Sequence, residues 1–147
     1  MKISLIIPAR YESSRFPGKP LSLIQGVPML ERTYQQCCKA LDSSFIYVAT
    51  DDKRIEEFCE QKNIKTIFTS KDCLTGTDRV AEAARNLDFD IFINVQGDEP
   101  VFNPEDISSL INQSLKYPES VICGYAEIKK SKQYLSNQIP KVIFDKN

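Results

Sequence analysis

Apolar and polar positions change period several times along the chain, and those changes mark out its elements. The continuous apolar run from Ile3 to Pro8 has the length and branched-residue content of a buried strand. Comparable runs predict strands at Phe45 to Thr50, Thr66 to Thr69, Asp90 to Val95 and Ser120 to Ile128, with a weaker one at Lys141 to Asp145. Between them the period lengthens to that of a helix. Leu30, Tyr34, Cys37 and Leu41 share one face, and Ile55, Phe58 and Cys59 another. Val80, Ala84 and Leu87 mark a third, while Ile107, Leu110, Ile111 and Leu115 mark a fourth. Pro28 and Pro104 suit the first turns of their helices, and either Asp51 or Asp52 suits the cap of the second. Strands alternating with amphipathic helices are the pattern of βαβ units. The expected fold class is therefore α/β: a doubly wound, mainly parallel, Rossmann-like sheet with helices on both faces.

Composition narrows what such a fold can do. A chain of 147 residues with 41% hydrophobic content can bury one core, so a single domain is expected. Its net charge of −1, with both signs interspersed, provides no broad basic field, which argues against nucleic acid or an anionic membrane as partner. The apolar runs are too short to span a bilayer and the N-terminus lacks the plan of a signal peptide, so a cytoplasmic location is expected. Five cysteines, an odd set without CxxC spacing and with three on predicted apolar helix faces, read as buried thiols. The chain contains no histidine. Ser-His and Cys-His triads, histidine general bases and imidazole zinc sites are thereby excluded. Any chemistry must use carboxylates, lysine, arginine, backbone amides or a hard metal ion.

Four segments could carry such chemistry, and all four follow predicted strands or open predicted helices. The first is the long polar loop after strand one, Pro8-Ala9-Arg10-Tyr11-Glu12-Ser13-Ser14-Arg15-Phe16-Pro17-Gly18-Lys19-Pro20. Ligands of open parallel sheets bind at the carboxyl ends of the strands, where this loop lies. It is not a P-loop, since Ser13 stands where glycine is needed and Pro20 follows Lys19, and no GxGxxG occurs. Side-chain cations must do the work of a glycine cradle: Arg10 as a fork and Lys19 as a point charge on phosphate oxygens, with Ser13 and Ser14 as donors. A solvated basic loop is the plainer alternative.

The second segment, Asn94-Val95-Gln96-Gly97-Asp98-Glu99-Pro100, closes the strand ending at Val95. A carboxylate after a glycine at that end of a strand suits magnesium, so Asp98 is the candidate metal ligand and Mg²⁺ the expected cofactor. Turn residues before a proline would look the same. The third, Thr75-Gly76-Thr77-Asp78-Arg79, opens a helix whose free amides and dipole favour an anion, although capping by Thr77 alone would also account for it. The fourth, Ala49-Thr50-Asp51-Asp52, ends strand two at the same sheet edge and is the least specific.

Together and in order, IIPARYESSRFPGKPL, VATDD, TGTDR and NVQGDEP closely resemble the 3-deoxy-manno-octulosonate (Kdo) cytidylyltransferases, and the resemblance runs through nearly the whole chain. It implies a sugar-nucleotide transferase fold and a reaction in which CTP activates Kdo as CMP-Kdo, releasing pyrophosphate, for lipopolysaccharide synthesis. It also implies that Arg10 and Lys19 contact the CTP phosphates and that Asp98 binds Mg²⁺. By the same resemblance, Ala9, Ala49 to Asp51 and Thr75 to Arg79 line the cytidine pocket, with Gln96 and Gly97 beside nucleotide and sugar. The sister family acting on sialic acid shares the opening Pro-Ala-Arg but lacks QGDEP, which favours Kdo or an amino-Kdo. Members are homodimers that continue past a segment like KVIFDKN into a Tyr-Phe-Ser-Arg-like strand, a second metal-binding aspartate and most sugar contacts. The expectation is therefore a domain incomplete at its C-terminus that binds nucleotide but catalyses poorly alone. A non-catalytic nucleotide-binding remnant, or a relative acting on another sugar acid or nucleotide, are the competing readings.

Overall fold

The structure is a computed structural model that describes residues 1–13 and 16–143. Four parallel strands form its sheet: β1 (Ile3–Pro8), β4 (Ile46–Thr50), β5 (Lys65–Phe68) and β6 (Ile91–Asn94), in the order β5-β4-β1-β6. β1 runs between β4 and β6, with Ile7 level with Val48 and Leu5 with Ile93. A small antiparallel hairpin, β2 (Leu23–Ile24) with β3 (Val27–Pro28), interrupts the first crossover. Five α-helices, α1 (Met29–Cys37), α2 (Lys53–Gln61), α3 (Gly76–Ala84), α4 (Pro104–Lys116) and the short α5 (Ser131–Leu135), and two 3-10 turns, Lys19–Leu21 and Ser43–Phe45, complete the described fold.

Strand alternation sorts the core into two layers. Leu5 and Ile7 of β1, Ile46 and Val48 of β4 and Ile93 of β6 pack with Leu30 and Cys37 of α1, Ile55 and Cys59 of α2 and Ile107 of α4. The intervening positions Ile6 and Ala49 face the other way, onto Val80 and Ala83 of α3, with Ile67, Leu87 and Phe92 at the margin. Helices thus cover both faces, as the doubly wound pattern requires. Asp52, not Asp51, caps α2, its side chain accepting from the backbone N–H of Arg54 at 3.0 Å, and Pro104 sits in the first turn of α4. Pro28 lies one position outside α1, as its cap.

Several sequence expectations require correction. Ser120 to Ile128 forms no strand: among the described residues it has no ladder partner, and Val121 is 92% exposed. Strand propensity expresses fit to a half-buried pleated surface, and this segment has no such surface beside it. Lys141 to Ile143 is likewise not strand, and the remainder of that expected strand lies outside the described residues. Of the five cysteines only Cys37 and Cys59 are buried, and burial pushes both thiols up to about 12. Cys38 and Cys123 are exposed and Cys73 is half-buried. The apolar face of α4 is also narrower than its spacing suggested, since Ile107 is buried but Leu115 is 44% exposed.

Candidate nucleotide site

The chain leaves β1 toward β4 and β5, then returns to place β6 on the opposite side of β1, so the carboxyl ends of β1 and β6 flank a topological switch point. A cavity of about 230 Å³ opens there, lined by Pro8, Ala9, Arg10, Ser13, Lys19, Pro20, Met29, Cys73, Thr75, Gly76, Arg79, Gln96, Gly97 and Asp98. Three segments well separated in sequence, around residues 8–20, 73–79 and 96–98, therefore converge on one space. A smaller cavity of about 120 Å³ adjoins it through Arg10, Cys73 and Arg79 and adds Glu12, Asp51, Asp52 and Lys71.

Close packing between the segments explains two of the glycines. A Cβ on Gly97 would lie 2.8 Å from the Pro8 carbonyl oxygen, so only glycine lets the loop after β6 approach the end of β1 this closely. A Cβ on Gly76 would lie 2.9 Å from Gln96 Oε1 and 3.2 Å from Pro8 Cγ, which joins the start of α3 to the same point. From the opposite layer, the buried Thr33 hydroxyl of α1 donates to the Gly97 carbonyl at 3.1 Å, and Gln36 Nε2 donates to the Phe102 carbonyl at 2.9 Å. The Asp98 loop is thus tied to α1 at two places.

The charged groups divide by burial. Lys19 Nζ lies 2.5 Å from Asp98 Oδ2, and both side chains remain substantially exposed. Such a pair contributes about 1 kcal/mol or less, so exchanging it for a ligand costs little. Arg79 is 2% exposed and anchored by three acceptors: it donates to Asp51 Oδ2 at 2.8 Å, to the Thr69 hydroxyl and to the Ser70 carbonyl at 3.4 Å. Its guanidinium knits the ends of β4 and β5 to α3. Arg10 is exposed and makes no ion pair among the described residues, leaving its fork available to an anion. At the mouth of α3 the cap is Thr75, not Thr77: its hydroxyl accepts from the Asp78 N–H at 3.1 Å while Asp78 Oδ2 accepts from the Thr75 N–H at 2.9 Å.

Of the residues singled out in the sequence, Pro8, Ala9, Arg10, Ser13, Lys19, Thr75, Gly76, Arg79, Gln96, Gly97 and Asp98 line the larger cavity. Asp51 lines the smaller one, and Ser14 lies outside the described residues. Ala49 and Thr50 are fully buried in β4, and neither Tyr11 nor Thr77 lines either cavity. Sequence reasoning missed Pro20, Met29 and Cys73 in the wall and Thr33 beneath it. Thr33 carried a signal, a polar residue between Leu30 and Cys37 on an apolar helix face.

A parallel sheet with a polar cavity at its switch point is the architecture of a ligand-binding, doubly wound α/β domain. The cytidylyltransferase family model matches residues 4–147, and the chain belongs to that family. It is 44% identical over 153 residues to an 8-amino-3,8-dideoxy-manno-octulosonate cytidylyltransferase of Shewanella sp. (strain W3-18-1), covering all of this chain and 62% of that protein. It is 45% identical over 148 residues to a 3-deoxy-manno-octulosonate cytidylyltransferase of Trichlorobacter lovleyi, covering all of this chain and 59% of that one. The chain thus spans about three-fifths of the length of these relatives. Among solved structures, a CMP:2-keto-3-deoxy-manno-octonic acid synthetase complexed with CTP superposes with a TM-score of 0.76 at 41% identity, covering 80% of this chain and 49% of that one. A cytidylyltransferase from Leptospira borgpetersenii shares the fold, with a TM-score of 0.70 at 22% identity over 79% of this chain and 50% of its own. No helix among the described residues is long and apolar enough to cross a membrane.

Proposed function

We propose that this chain is the nucleotide-binding part of a cytidylyltransferase that joins CMP to a sugar acid of the 3-deoxy-manno-octulosonate class, releasing pyrophosphate. The observation that carries the reading is the convergence of Arg10, Lys19, Gln96, Gly97 and Asp98 on one cavity at the switch point of the sheet. In the reaction, the anomeric hydroxyl of the sugar acid attacks the α-phosphorus of CTP and the bond to the β-phosphate oxygen breaks. Such transfers depend on positioning and charge neutralisation, which a site without histidine can provide. Arg10 binds phosphate oxygens as a fork. Lys19 exchanges Asp98 for the pyrophosphate portion, where negative charge grows as the bond breaks. The Gln96-Gly97 backbone and side chain border the place where nucleotide and acceptor meet.

Magnesium fits this site in part. Among the described residues no cluster of three or more acidic, cysteine or histidine groups could hold a metal, and Asp98 is the one carboxylate in the cavity wall. Mg²⁺ commonly takes one or two protein carboxylates and completes its shell with phosphate oxygens and water, so Asp98 would be one ligand of a site largely made by the nucleotide. Bound there, the ion would offset charge on the phosphates. With a single protein carboxylate, this chain alone is expected to bind nucleotide and to turn over poorly. Kdo and its 8-amino analogue fit equally well, because relatives bearing both names match at almost the same identity. The proposal extends to a cytoplasmic enzyme supplying lipopolysaccharide synthesis, dimeric when full-length. Calorimetric titration of CTP in the presence of Mg²⁺ tests the site: saturable binding that weakens in Lys19→Ala is expected, and the absence of binding by the unmodified chain overturns the reading.

A further inference from the structure

Arg10 and Lys19 stand on an exposed loop, yet the nucleotide reading requires both to be aimed. Two other residues close the base of that loop. The Gly18 N–H donates to the Tyr11 carbonyl at 2.8 Å, so Arg10 immediately precedes, and Lys19 immediately follows, a hydrogen-bonded pair. Gly18 has a φ of 71°, and a Cβ there would lie 3.0 Å from Tyr11 Cζ and Oη. The Tyr11 ring thus rests directly against the Gly18 backbone.

The same ring carries the guanidinium of Arg54, whose central carbon lies 3.4 Å from the ring centroid. Arg54 is itself held by a two-pronged contact to the Asp52 carboxylate, Nε donating to Oδ1 at 2.8 Å and Nη2 to Oδ2 at 2.6 Å. Asp52 is the cap of α2, so the chain of contacts Asp52, Arg54, Tyr11, Gly18 runs from the start of a helix to the point between the two cations. Neither Arg54 nor Tyr11 lines either cavity. The Asp52 cap on the Arg54 N–H uses backbone, so it survives loss of the Arg54 side chain.

We propose that Arg54 is a positioning residue for the phosphate loop, stacking on Tyr11 so that Arg10 and Lys19 are held toward the nucleotide. The proposal rests on the nucleotide reading above. A planar guanidinium can stack on a ring while its edge forks onto a carboxylate; an ammonium cannot do both. Lysine at position 54 should therefore fail to substitute.

The test is calorimetric titration of CTP and of CMP into the whole chain, with Mg²⁺, for the unmodified protein, Arg54→Ala, Arg54→Lys, Lys19→Ala and the double variant Arg54→Ala/Lys19→Ala. Thermal melts of each would confirm folding. The expected result is about a tenfold loss of CTP affinity in both Arg54 variants, less than about a twofold loss for CMP, and a markedly smaller Arg54→Ala effect once Lys19 is absent. Three outcomes overturn the proposal while leaving the nucleotide site standing: unchanged CTP affinity in Arg54→Ala, equal losses for CTP and CMP, or full additivity with Lys19→Ala. An unmodified chain that binds no CTP removes the nucleotide reading and the proposal with it.

Discussion

Lys19 and Asp98, 79 positions apart in sequence, meet at 2.5 Å in the wall of the cavity as an exposed ion pair. In the function proposed above Lys19 would take phosphate and Asp98 metal, so the pair would have to separate when a metal-nucleotide complex binds. In Asp98→Asn the amide offers a poor metal ligand and leaves Lys19 unpaired. The expected outcome is CTP binding that no longer depends on Mg²⁺, measured by titration with the metal and with a chelator. Unchanged metal dependence would assign Asp98 to the turn alone.

Gly97 and Gly76 should separate on substitution. The alanine methyl at position 97 meets the Pro8 carbonyl, a backbone atom that can move only with β1, whereas at position 76 it first meets the end of the Gln96 side chain. Gly97→Ala should cost about 1–3 kcal/mol in denaturant unfolding. Gly76→Ala should unfold within about 1 kcal/mol of the unmodified chain yet weaken CTP binding, because Gln96 is displaced into the site. Equal stability of the two variants would contradict the packing described.

Asp51 is expected to matter for stability through Arg79. Removing the carboxylate in Asp51→Leu leaves a buried guanidinium without its counter-charge, at a cost of about 3 kcal/mol, and Arg79→Met on the same background should restore most of it. Chemical denaturation of these two variants and the unmodified chain checks this. An Asp51→Leu chain as stable as the original would mean that Thr69 and Ser70 suffice for Arg79.

Acid should weaken the fold through a small set of carboxylates. Asp52 is held below its usual value by hydrogen bonding from Arg54, Asp42 by Ser44, Asp88 by Lys2 and Glu82 by the Ser70 N–H. Each folded value lies below the unfolded one, near 4, so the stabilisation is complete above it and is lost as pH falls through the folded values. Lys2, raised by the same Asp88 contact, behaves oppositely and loses its contribution only as pH climbs past its ordinary value of 10.5. Thermal midpoints should be level from about pH 7 to 5 and fall below about pH 4. A midpoint unchanged at the acid end would contradict these contacts.

How much could be read in advance depended on whether a feature was local. The strands from Ile3, Ile46 and Ile91 and the helix faces around Leu30, Ile55 and Val80 were legible because a buried strand or amphipathic helix writes its own period. Arg10, Lys19, Gly97 and Asp98 were legible as candidates because they stand in the polar segments that follow two strands. The pairing of Lys19 with Asp98, the burial of Arg79 on Asp51 and the stacking of Arg54 on Tyr11 were not, since each joins segments whose approach only the fold fixes. The Ser120 to Ile128 segment failed for a related reason: a strand is a property of a pair, and its sequence names no partner. The hairpin at Gln25-Gly26 was readable and was overlooked, for both residues take positive φ and a glycine-containing two-residue turn is a local signal.

The most direct test of the nucleotide assignment is a calorimetric comparison of CTP, UTP, GTP and ATP binding to the unmodified chain in the presence of Mg²⁺. Tightest binding of CTP is the predicted result. Preference for UTP, GTP or ATP, or no binding by any of the four, would contradict the account.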